Sequence, residues 1–318
     1  MHVVFFGTPT FVIPILKTLA ENFTVVGIVA APDAISGRKK FLTPSPIKQF
    51  ALEQLPNAAI LTPKQFINLT RPPSLPPETL RVSKRTGRSG VSGRAIKQLR
   101  NLSPDLFLVA AYGKIIPKEI LDIPRLGTIN IHPSLLPKYR GPSPIQAAIL
   151  DGDSKTGITF IKMDEEVDHG PIIAQKAVDL KGDETAESLH QQLFQIAADM
   201  LPKTMQPARH RYAKALAGGQ FKSVPQNDTK ATYCKKITKE DGYFDIENPP
   251  SPEKLDRMIR AYYPWPTAWS KLKTQNSKLK TVKFLPGKRI QLEGGKPMSM
   301  KDFLNGYPEL KEAINKLV

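Results

Sequence analysis

The N-terminal part of the chain alternates between short apolar runs and a helical pattern. Residues 2–7 (HVVFFG) and 23–33 (FTVVGIVAAPD) are apolar runs, and residues 11–22 (FVIPILKTLAEN) have helical spacing from about Pro14 onwards. A strand, a helix and a strand at this spacing predict a parallel α/β unit, because parallel strands need a crossover connection. Ligands of such sheets bind beyond the carboxyl ends of the strands.

The same alternation continues, and it predicts an open, doubly wound, mostly parallel sheet. Residues 104–113 (PDLFLVAAYG) and 127–132 (GTINIH) are apolar runs of strand length. Residues 156–163 (TGITFIKM) and 171–178 (PIIAQKAV) alternate like strands, and the acidic loop DEEVDHG joins them into a hairpin-like extension.

Residues 183–201 (DETAESLHQQLFQIAADML) have the strongest helical pattern in the chain. Asp183 or Thr185 is expected to cap this helix at its N-terminus. His190 falls within the helix, and we expect it on the surface.

Composition indicates two domains of ordinary size. The 318 residues are 40% hydrophobic, enough for a substantial core, and no apolar run reaches the ~18 residues of a membrane span. The first residues lack the features of a signal peptide. Cys234 is the single cysteine, so no intrachain disulfide can form. These features favour a cytoplasmic protein with no membrane partner.

The net charge of +17 is unevenly distributed. Residues 1–202 carry a net charge of +5, whereas residues 203–318 contain 23 Lys/Arg and 11 Asp/Glu and carry +12. A basic C-terminal third suggests a polyanion as partner, either nucleic acid or an anionic membrane surface, although a solvated basic surface has the same composition.

Asn130 and His132 lie two residues apart at the end of the apolar run GTINIH, just before the Pro-rich loop PSLLPKYRGP. Because side chains alternate along a strand, these two share one face, about 7 Å apart, while Ile129 and Ile131 occupy the other. A lone histidine beside a core strand is usually structural. A polar pair at a ligand-binding strand end instead favours chemistry.

A carboxylate near His132 would fix its tautomer and favour its charged form. The acidic loop offers four candidates, and spacing does not choose among them: Asp164, Glu165, Glu166 and Asp168. An amide donor, a histidine and a carboxylate suit acyl transfer between two bound substrates. No serine or cysteine nucleophile is nearby, and the scattered histidines indicate no metal site.

The stretch NIHPSLLPKYRGPSPIQAAILDGDSKTGITFIKMDEEVDHGPII resembles the signature of the folate-dependent formyltransferases. VVFFGTP and VAAYGKIIP also match stretches of that family. The resemblance implies a Rossmann-like catalytic domain whose catalytic residues are Asn130, His132 and Asp168, and it selects Asp168 among the four acids. It implies 10-formyltetrahydrofolate as co-substrate, in a pocket lined by Ser134, Leu135, Leu136 and Pro137.

Within that family, three features resemble the members that formylate methionine carried on initiator tRNA. APDAISGRKKFLTPSPIK is similar to their basic loop, which implies that Arg38, Lys39 and Lys40 contact the tRNA. ATYCKKITKEDGYFDI and IRAYYPWPTAWSKL resemble the start of their C-terminal domain, a small barrel similar to an oligonucleotide-binding fold. The positive charge of the C-terminal third suits a tRNA backbone.

These observations give an expected domain plan for a monomeric enzyme. The catalytic domain is residues 1–205, with an atypical basic insert at 71–95, and residues 206–228 form a linker. Residues 229–318 form a tRNA-binding domain that is shorter than is usual for the family. Two alternatives remain: an amino-sugar formyltransferase, and a non-catalytic tRNA-binding relative of this scaffold.

Overall fold

The structure is a computed structural model that describes residues 1–36, 41–63, 93–205, 221–273 and 279–308. Its strands are β1 His2–Gly7, β2 Thr24–Val29, β3 Ala34–Ser36, β4 Phe41–Thr43, β5 Ala59–Leu61, β6 Leu106–Ala110, β7 Thr128–His132, β8 Lys155–Lys162, β9 Ile172–Asp179, β10 Ala268–Lys273, β11 Leu279–Leu285, β12 Arg289–Leu292 and β13 Met298–Ser299. Its helices are α1 Ile13–Asn22, α2 Pro46–Gln54, α3 Gly93–Asn101, α4 Lys118–Leu121, α5 Pro144–Asp151, α6 Ala186–Met205, α7 Pro252–Ala261 and α8 Met300–Gly306.

The largest sheet has seven strands in the order β5-β2-β1-β6-β7-β8-β9. The pairs β2/β5, β1/β2, β1/β6 and β6/β7 are parallel, whereas β7 and β8 are antiparallel. The chain leaves β1 towards β2 and β5 and later returns to its other side at β6. This reversal is characteristic of a doubly wound sheet, whose ligands bind near the reversal.

The central strands are apolar because both of their faces are covered. Every residue of β6 is buried, and in β1 all residues after His2 are buried. Phe6 packs against Phe107 of β6 and edge-on against Tyr112. Burial on both faces explains why these strands appear in the sequence as continuous apolar runs.

The C-terminal part contains a second sheet of four antiparallel strands in the order β10-β11-β12-β13. Helix α7 precedes this sheet, and its first turn is capped by Ser251, whose hydroxyl accepts from the amide of Lys254. The predicted combination of a mostly parallel α/β sheet with a small antiparallel C-terminal domain is confirmed.

The chain divides into two compact units, each built from three separate stretches of the sequence. The first contains Met1–Pro142, Gly157–Ala177 and Gln192–Tyr233, and the second contains Ser143–Thr156, Val178–Gln191 and Cys234–Val318. The predicted linker is residues 206–228, and the structure describes this region from residue 221 onwards. Residues 221–233 belong to the first unit. Within the described ranges, no helix is long and apolar enough to cross a membrane.

Short elements and local contacts differ from the sequence expectations. Strand β5, which has only three residues, was not expected from the sequence, and β3 and β4 pair as a hairpin where the sequence predicted a loop. Thr185, rather than Asp183, caps α6: its hydroxyl accepts from the amide of Ser188. His190 is half-buried rather than a surface residue, and burial lowers the pKa of its imidazole.

The cap of α6 gives a stability prediction. Thr185→Ala removes the acceptor for the Ser188 amide, so we expect a loss of about 1 kcal/mol in the free energy of unfolding. Urea denaturation measures this loss. Gln191→Ala, at an exposed position of the same helix, should change the free energy by less than about 0.5 kcal/mol. Equal effects of the two substitutions would contradict the capping role.

Candidate active site

The candidate site begins at the carboxyl end of β7, an interior strand of the seven-stranded sheet. Ile129 and Ile131 are buried in the core. Asn130 and His132 alternate with them on the opposite face, where Asn130 is half-buried and His132 is 4% exposed. The alternation of a β-strand thus places the amide and the imidazole side by side at a ligand-binding edge.

Asp168 reaches both of these side chains from the loop between β8 and β9. Asn130 Nδ2 donates to Asp168 Oδ1 at 3.1 Å, and His132 Nδ1 lies 3.4 Å from Asp168 Oδ2. The backbone N–H of Gly141 also donates to Oδ2, at 2.9 Å. The structure therefore brings Asn130, His132 and Asp168 together, with the carboxylate between the other two.

The second ring nitrogen of His132 faces the carbonyl oxygen of Tyr139, with 2.9 Å between Nε2 and the oxygen. A carbonyl only accepts, so Nε2 carries a hydrogen, and Nδ1 faces the acceptor-only carboxylate of Asp168. Nε2 is thus committed to Tyr139, and Nδ1 is the ring nitrogen that faces Asp168.

The D-x-G turn aims Asp168 at the strand by an unusual backbone conformation. Asp168 has φ 51°, in the left-handed region that aspartate tolerates better than most residues. Gly170 follows where a Cβ atom would lie 1.8 Å from the backbone oxygen of Lys162. No side chain fits there, so glycine is required for the turn to pack against β8.

The other acids of the loop have different partners. Asp164 bonds to the ring of His169, at 2.7 Å from its Nδ1, and Glu165 lies 3.9 Å from Lys118 at the surface. Glu166 is exposed, and its backbone N–H donates to Asp164. Of the four candidate carboxylates, all of which the structure describes, Asp168 is the one hydrogen-bonded to Asn130.

The SLLP loop follows β7 directly, and two of its four residues are used internally. Ser134 is fully buried, and its hydroxyl donates to the Lys138 carbonyl at 2.6 Å. Leu136 is also buried, and its amide donates to the hydroxyl of Thr159. Leu135 and Pro137 are half-buried and can offer apolar surface to a ligand.

Sequence reasoning missed four contributors to the site. Gly141 and Tyr139 act through the backbone groups described above, and Arg140 and Gln226 lie behind the turn of Asp168. Gln226 Nε2 donates to the carbonyls of Asp168 and Gly170, both at 2.8 Å. Arg140 could have been suspected from the sequence, because it directly follows the SLLP loop in the stretch YRG. Gln226 lies 58 residues after Asp168, and no local sequence pattern connects the two.

The predicted tRNA-contacting residues Arg38, Lys39 and Lys40 lie outside the described residues. They connect β3 and β4, which pair as an antiparallel hairpin. Ile35, Phe41 and Leu42 of this hairpin are 70%, 67% and 68% exposed. Both strands of the hairpin thus carry exposed apolar side chains.

A pocket with a volume of about 660 Å³ lies beyond the carboxyl ends of β1 and β2, next to this hairpin. Its lining includes Thr8, Pro32, Pro44, Gln49 and Phe50.

In the part of the chain that the structure describes, no group of three or more His, Cys, Asp or Glu side chains is arranged to hold a metal ion.

Comparison with known protein families assigns both parts of the chain. Residues 1–205 match the family model "Formyl transferase". The chain belongs to the formyl transferase family. Residues 236–289 match the model of the formyl transferase C-terminal domain. The catalytic fold and the presence of a C-terminal domain, both implied by the sequence motifs, are therefore confirmed.

Several similar formyl transferases are methionyl-tRNA formyltransferases. That of Roseiflexus castenholzii is 41% identical, over 84% of this chain and 75% of its own length. That of Marinobacter nauticus is 35% identical, over 96% of both chains.

Solved structures share the formyl transferase fold. The methionyl-tRNA formyltransferase of Clostridium thermocellum superposes with a TM-score of 0.53 at 20% identity, covering 94% of this chain and 96% of its own. A 4-N formyltransferase of Francisella tularensis gives 0.58 at 17% identity, covering 90% and 98%. At these identities the likeness concerns the fold.

The ion pair beside the D-x-G turn gives a pH prediction. The hydrogen bond to Asp164 raises the pKa of His169. A histidine whose pKa is higher in the folded than in the unfolded state stabilises the fold fully below the unfolded value of about 6.5, and this contribution is lost as pH rises through the folded pKa. Melting temperatures of the protein and of His169→Asn should therefore differ at pH 5.5 and converge by pH 8.5.

The control for this experiment is the surface histidine His2, whose side chain is exposed. His2→Asn should leave the melting temperature unchanged relative to the parent at both pH values. If the difference caused by His169→Asn grew with pH instead, the stabilising pair would not be His169 with Asp164.

Proposed function

We propose that this formyl transferase moves the formyl group of 10-formyltetrahydrofolate to the α-amino group of methionyl initiator tRNA. The observation that carries the proposal is the cluster of Asn130, His132 and Asp168 at the end of β7, in a chain that is 35–41% identical to methionyl-tRNA formyltransferases. The reaction joins the amine nitrogen to the formyl carbon and breaks the bond between that carbon and N10 of the folate.

The first step of the proposed mechanism is attack by the neutral amine on the formyl carbon. Negative charge develops on the formyl oxygen, and preorganised donors stabilise it. Asn130 Nδ2 carries two hydrogens and uses one on Asp168, so the other remains for the oxyanion. His132 Nδ1 lies 3.4 Å from Asp168, longer than a normal hydrogen bond, and its hydrogen is thus available to a substrate oxygen.

The second step moves one proton and releases the folate. The amine loses a proton when its new bond forms, and Asp168 accepts that proton directly or through water. N10 gains a proton when its bond to the formyl carbon breaks, and His132 supplies it. The protons balance, since one leaves the amine and one reaches N10, and passage of the proton from Asp168 to the neighbouring His132 Nδ1 restores both groups. The chemistry needs neither a covalent enzyme intermediate nor a metal.

For the folate we propose the SLLP loop as one wall of the pocket. Leu135 and Pro137 offer the partly exposed apolar surface that an aromatic ring system needs. Ser134 and Leu136 shape the loop from inside, because their polar groups are bonded to Lys138 and Thr159. The four residues would thus divide into two that touch the ligand and two that hold the loop.

For the tRNA we propose two contact surfaces, one in each unit. In the first unit, Arg38, Lys39 and Lys40 would bind backbone phosphates, and the exposed apolar residues of the hairpin would pack against the acceptor end. In the second unit, Lys239 and Lys271 lie over the ring of Trp269, at 5.5 and 5.9 Å from its centroid. Cations interleaved with aromatic rings are suited to single-stranded or unstacked nucleotides.

The proposed organisation of the enzyme follows the sequence plan. Residues 1–205 would contain the catalytic side chains and residues 229–318 would help to hold tRNA, with the predicted linker 206–228 between them in the sequence. The positive charge of the C-terminal third and the C-terminal family model support the second assignment. We further propose a monomer that works in the cytoplasm, consistent with its single cysteine.

A direct assay tests the reaction. The purified protein is given 10-formyltetrahydrofolate and methionyl initiator tRNA, and formylmethionyl-tRNA is measured. Uncharged tRNA and a nucleotide-linked amino sugar serve as alternative acceptors. His132→Ala and Asp168→Asn should each lower kcat by at least about 100-fold, since each removes a group that moves a proton or stabilises charge. Their tRNA dissociation constants should stay within about threefold.

Matched controls are available on the surface. His2→Ala and Asp179→Asn change an exposed histidine and an exposed carboxylate, and both should keep the kcat of the parent. Formylation of the amino sugar in preference to methionyl-tRNA would refute the proposed acceptor. Near-full turnover by His132→Ala or Asp168→Asn would refute the role of that residue.

The salt dependence of binding tests the loop. Arg38→Glu should weaken tRNA binding. It should also reduce the slope of log K against log salt concentration by about one for each phosphate contact that is lost. Fluorescence anisotropy with labelled tRNA at several salt concentrations measures the slope. Lys118→Glu is the matched control, because Lys118 already pairs with Asp122 and lies near Glu165. An unchanged slope for Arg38→Glu would contradict a phosphate contact.

A further inference from the structure

Residues 224–232, which follow the region predicted to be a linker, lie against the active site of the first unit, and we call them the clamp segment. Val224 pairs with Ile172 at the start of β9 through reciprocal backbone hydrogen bonds of 2.8 Å. At the other end of the segment, the Thr232 hydroxyl accepts from the amide of Tyr139, and the Thr232 carbonyl accepts from the amide of Arg140. The segment is thus bonded to both loops that meet at the catalytic cluster.

Gln226 occupies the centre of the clamp segment, and its amide has one possible orientation. Arg140 donates to Oε1 from Nε at 3.1 Å and from Nη2 at 2.9 Å. A guanidinium has only donors, so the oxygen of Gln226 must face it and the NH₂ group must face the other way. There it donates both hydrogens, one to the carbonyl of Asp168 and one to that of Gly170.

Arg140, which orients Gln226, is itself buried and hydrogen-bonded. Its side chain is buried, and Nη2 also donates to Asp228 at 2.6 Å. The hydrogen bond from Arg140 lowers the pKa of Asp228. A buried guanidinium needs acceptors around it, and the clamp segment supplies two of them, Gln226 and Asp228.

We propose that Gln226 is a positioning residue: it fixes the backbone of Asp168 in its left-handed conformation and thereby sets the distance between the carboxylate and His132. This inference rests on the proposed function for its kinetic readout. The turn has φ 51° at Asp168, and such a conformation persists only where surrounding contacts determine it. The two hydrogen bonds from Gln226 hold the carbonyl groups at the two ends of the backbone stretch from Asp168 to Gly170.

Two substitutions separate this role from a merely structural one. Gln226→Glu keeps an oxygen for Arg140 but presents a second oxygen to the two carbonyls, so it removes the hold on the turn. Gln226→Met removes both functions at nearly constant volume. A residue that only satisfied Arg140 would tolerate Glu and fail with Met. A residue that positions Asp168 fails with both.

The kinetic test uses formyl transfer to methionyl initiator tRNA. We expect kcat to fall about 10- to 100-fold in Gln226→Glu and in Gln226→Met, because small displacements of reacting groups have effects of this size. The KM for the tRNA should change less than about threefold. The control is Gln195→Glu, the same change at an exposed position of α6 in the first unit, which should keep the parent kcat.

A second readout does not depend on any substrate. The imidazole Cε1–H signal of His132 is followed by NMR and assigned among the five histidines through His132→Asn. The signal should move in both Gln226 variants and stay in place in Gln195→Glu. Movement in both variants, with a parent protein that fails to formylate methionyl-tRNA, would support the positioning role and refute the proposed reaction.

Three results would overturn the inference while the proposed reaction stands. In the first, Gln226→Glu keeps the parent kcat and Gln226→Met does not. In the second, both variants keep it. In the third, kcat falls in both but the His132 signal does not move, so the loss does not pass through the geometry of Asp168. Thermal melting by circular dichroism confirms that each variant is folded at the assay temperature.

Discussion

The carboxylate of Asp168 is the group on which the rest of the site depends. It is 12% exposed and accepts from Asn130 and the backbone of Gly141, with His132 at 3.4 Å. A charge so little exposed is stable only when such partners surround it. Three chain segments must therefore converge: the end of β7, the loop that follows it, and the turn between β8 and β9. Their convergence fixes the geometry of both the amide and the imidazole.

The sheet holds Asn130 and His132 in fixed positions, and a loop directs Asp168 towards them. β7 lies between β6 and β8, so the positions of Asn130 and His132 are set by hydrogen-bonded strands on both sides. Asp168 approaches from a loop and owes its direction to a left-handed residue and to a glycine that packs against the Lys162 backbone. Sites held within a fraction of an ångström usually combine such a rigid base with supporting contacts.

The sequence was sufficient for the parts whose signal is local. Continuous apolar runs predicted β1, β6 and β7 because those strands are buried on both faces, and alternation placed Asn130 and His132 together. Spacing did not choose Asp168 among four acids, because its direction depends on one backbone angle. Gln226 was missed for another reason: its partners are up to 86 residues away, and its Pro- and Asn-rich surroundings are typical of a linker.

The position of the clamp segment matters for any attempt to divide the protein into working modules. The formyl transferase family model ends at residue 205, yet residues 224–232 belong to the compact unit that contains Asn130, His132 and Asp168. A fragment cut at residue 205 would keep these three side chains and lose the hydrogen bonds that residues 224–232 make around them. Gene fusions or domain exchanges within this family should therefore join their parts after Tyr233, so that the catalytic part keeps its own clamp segment.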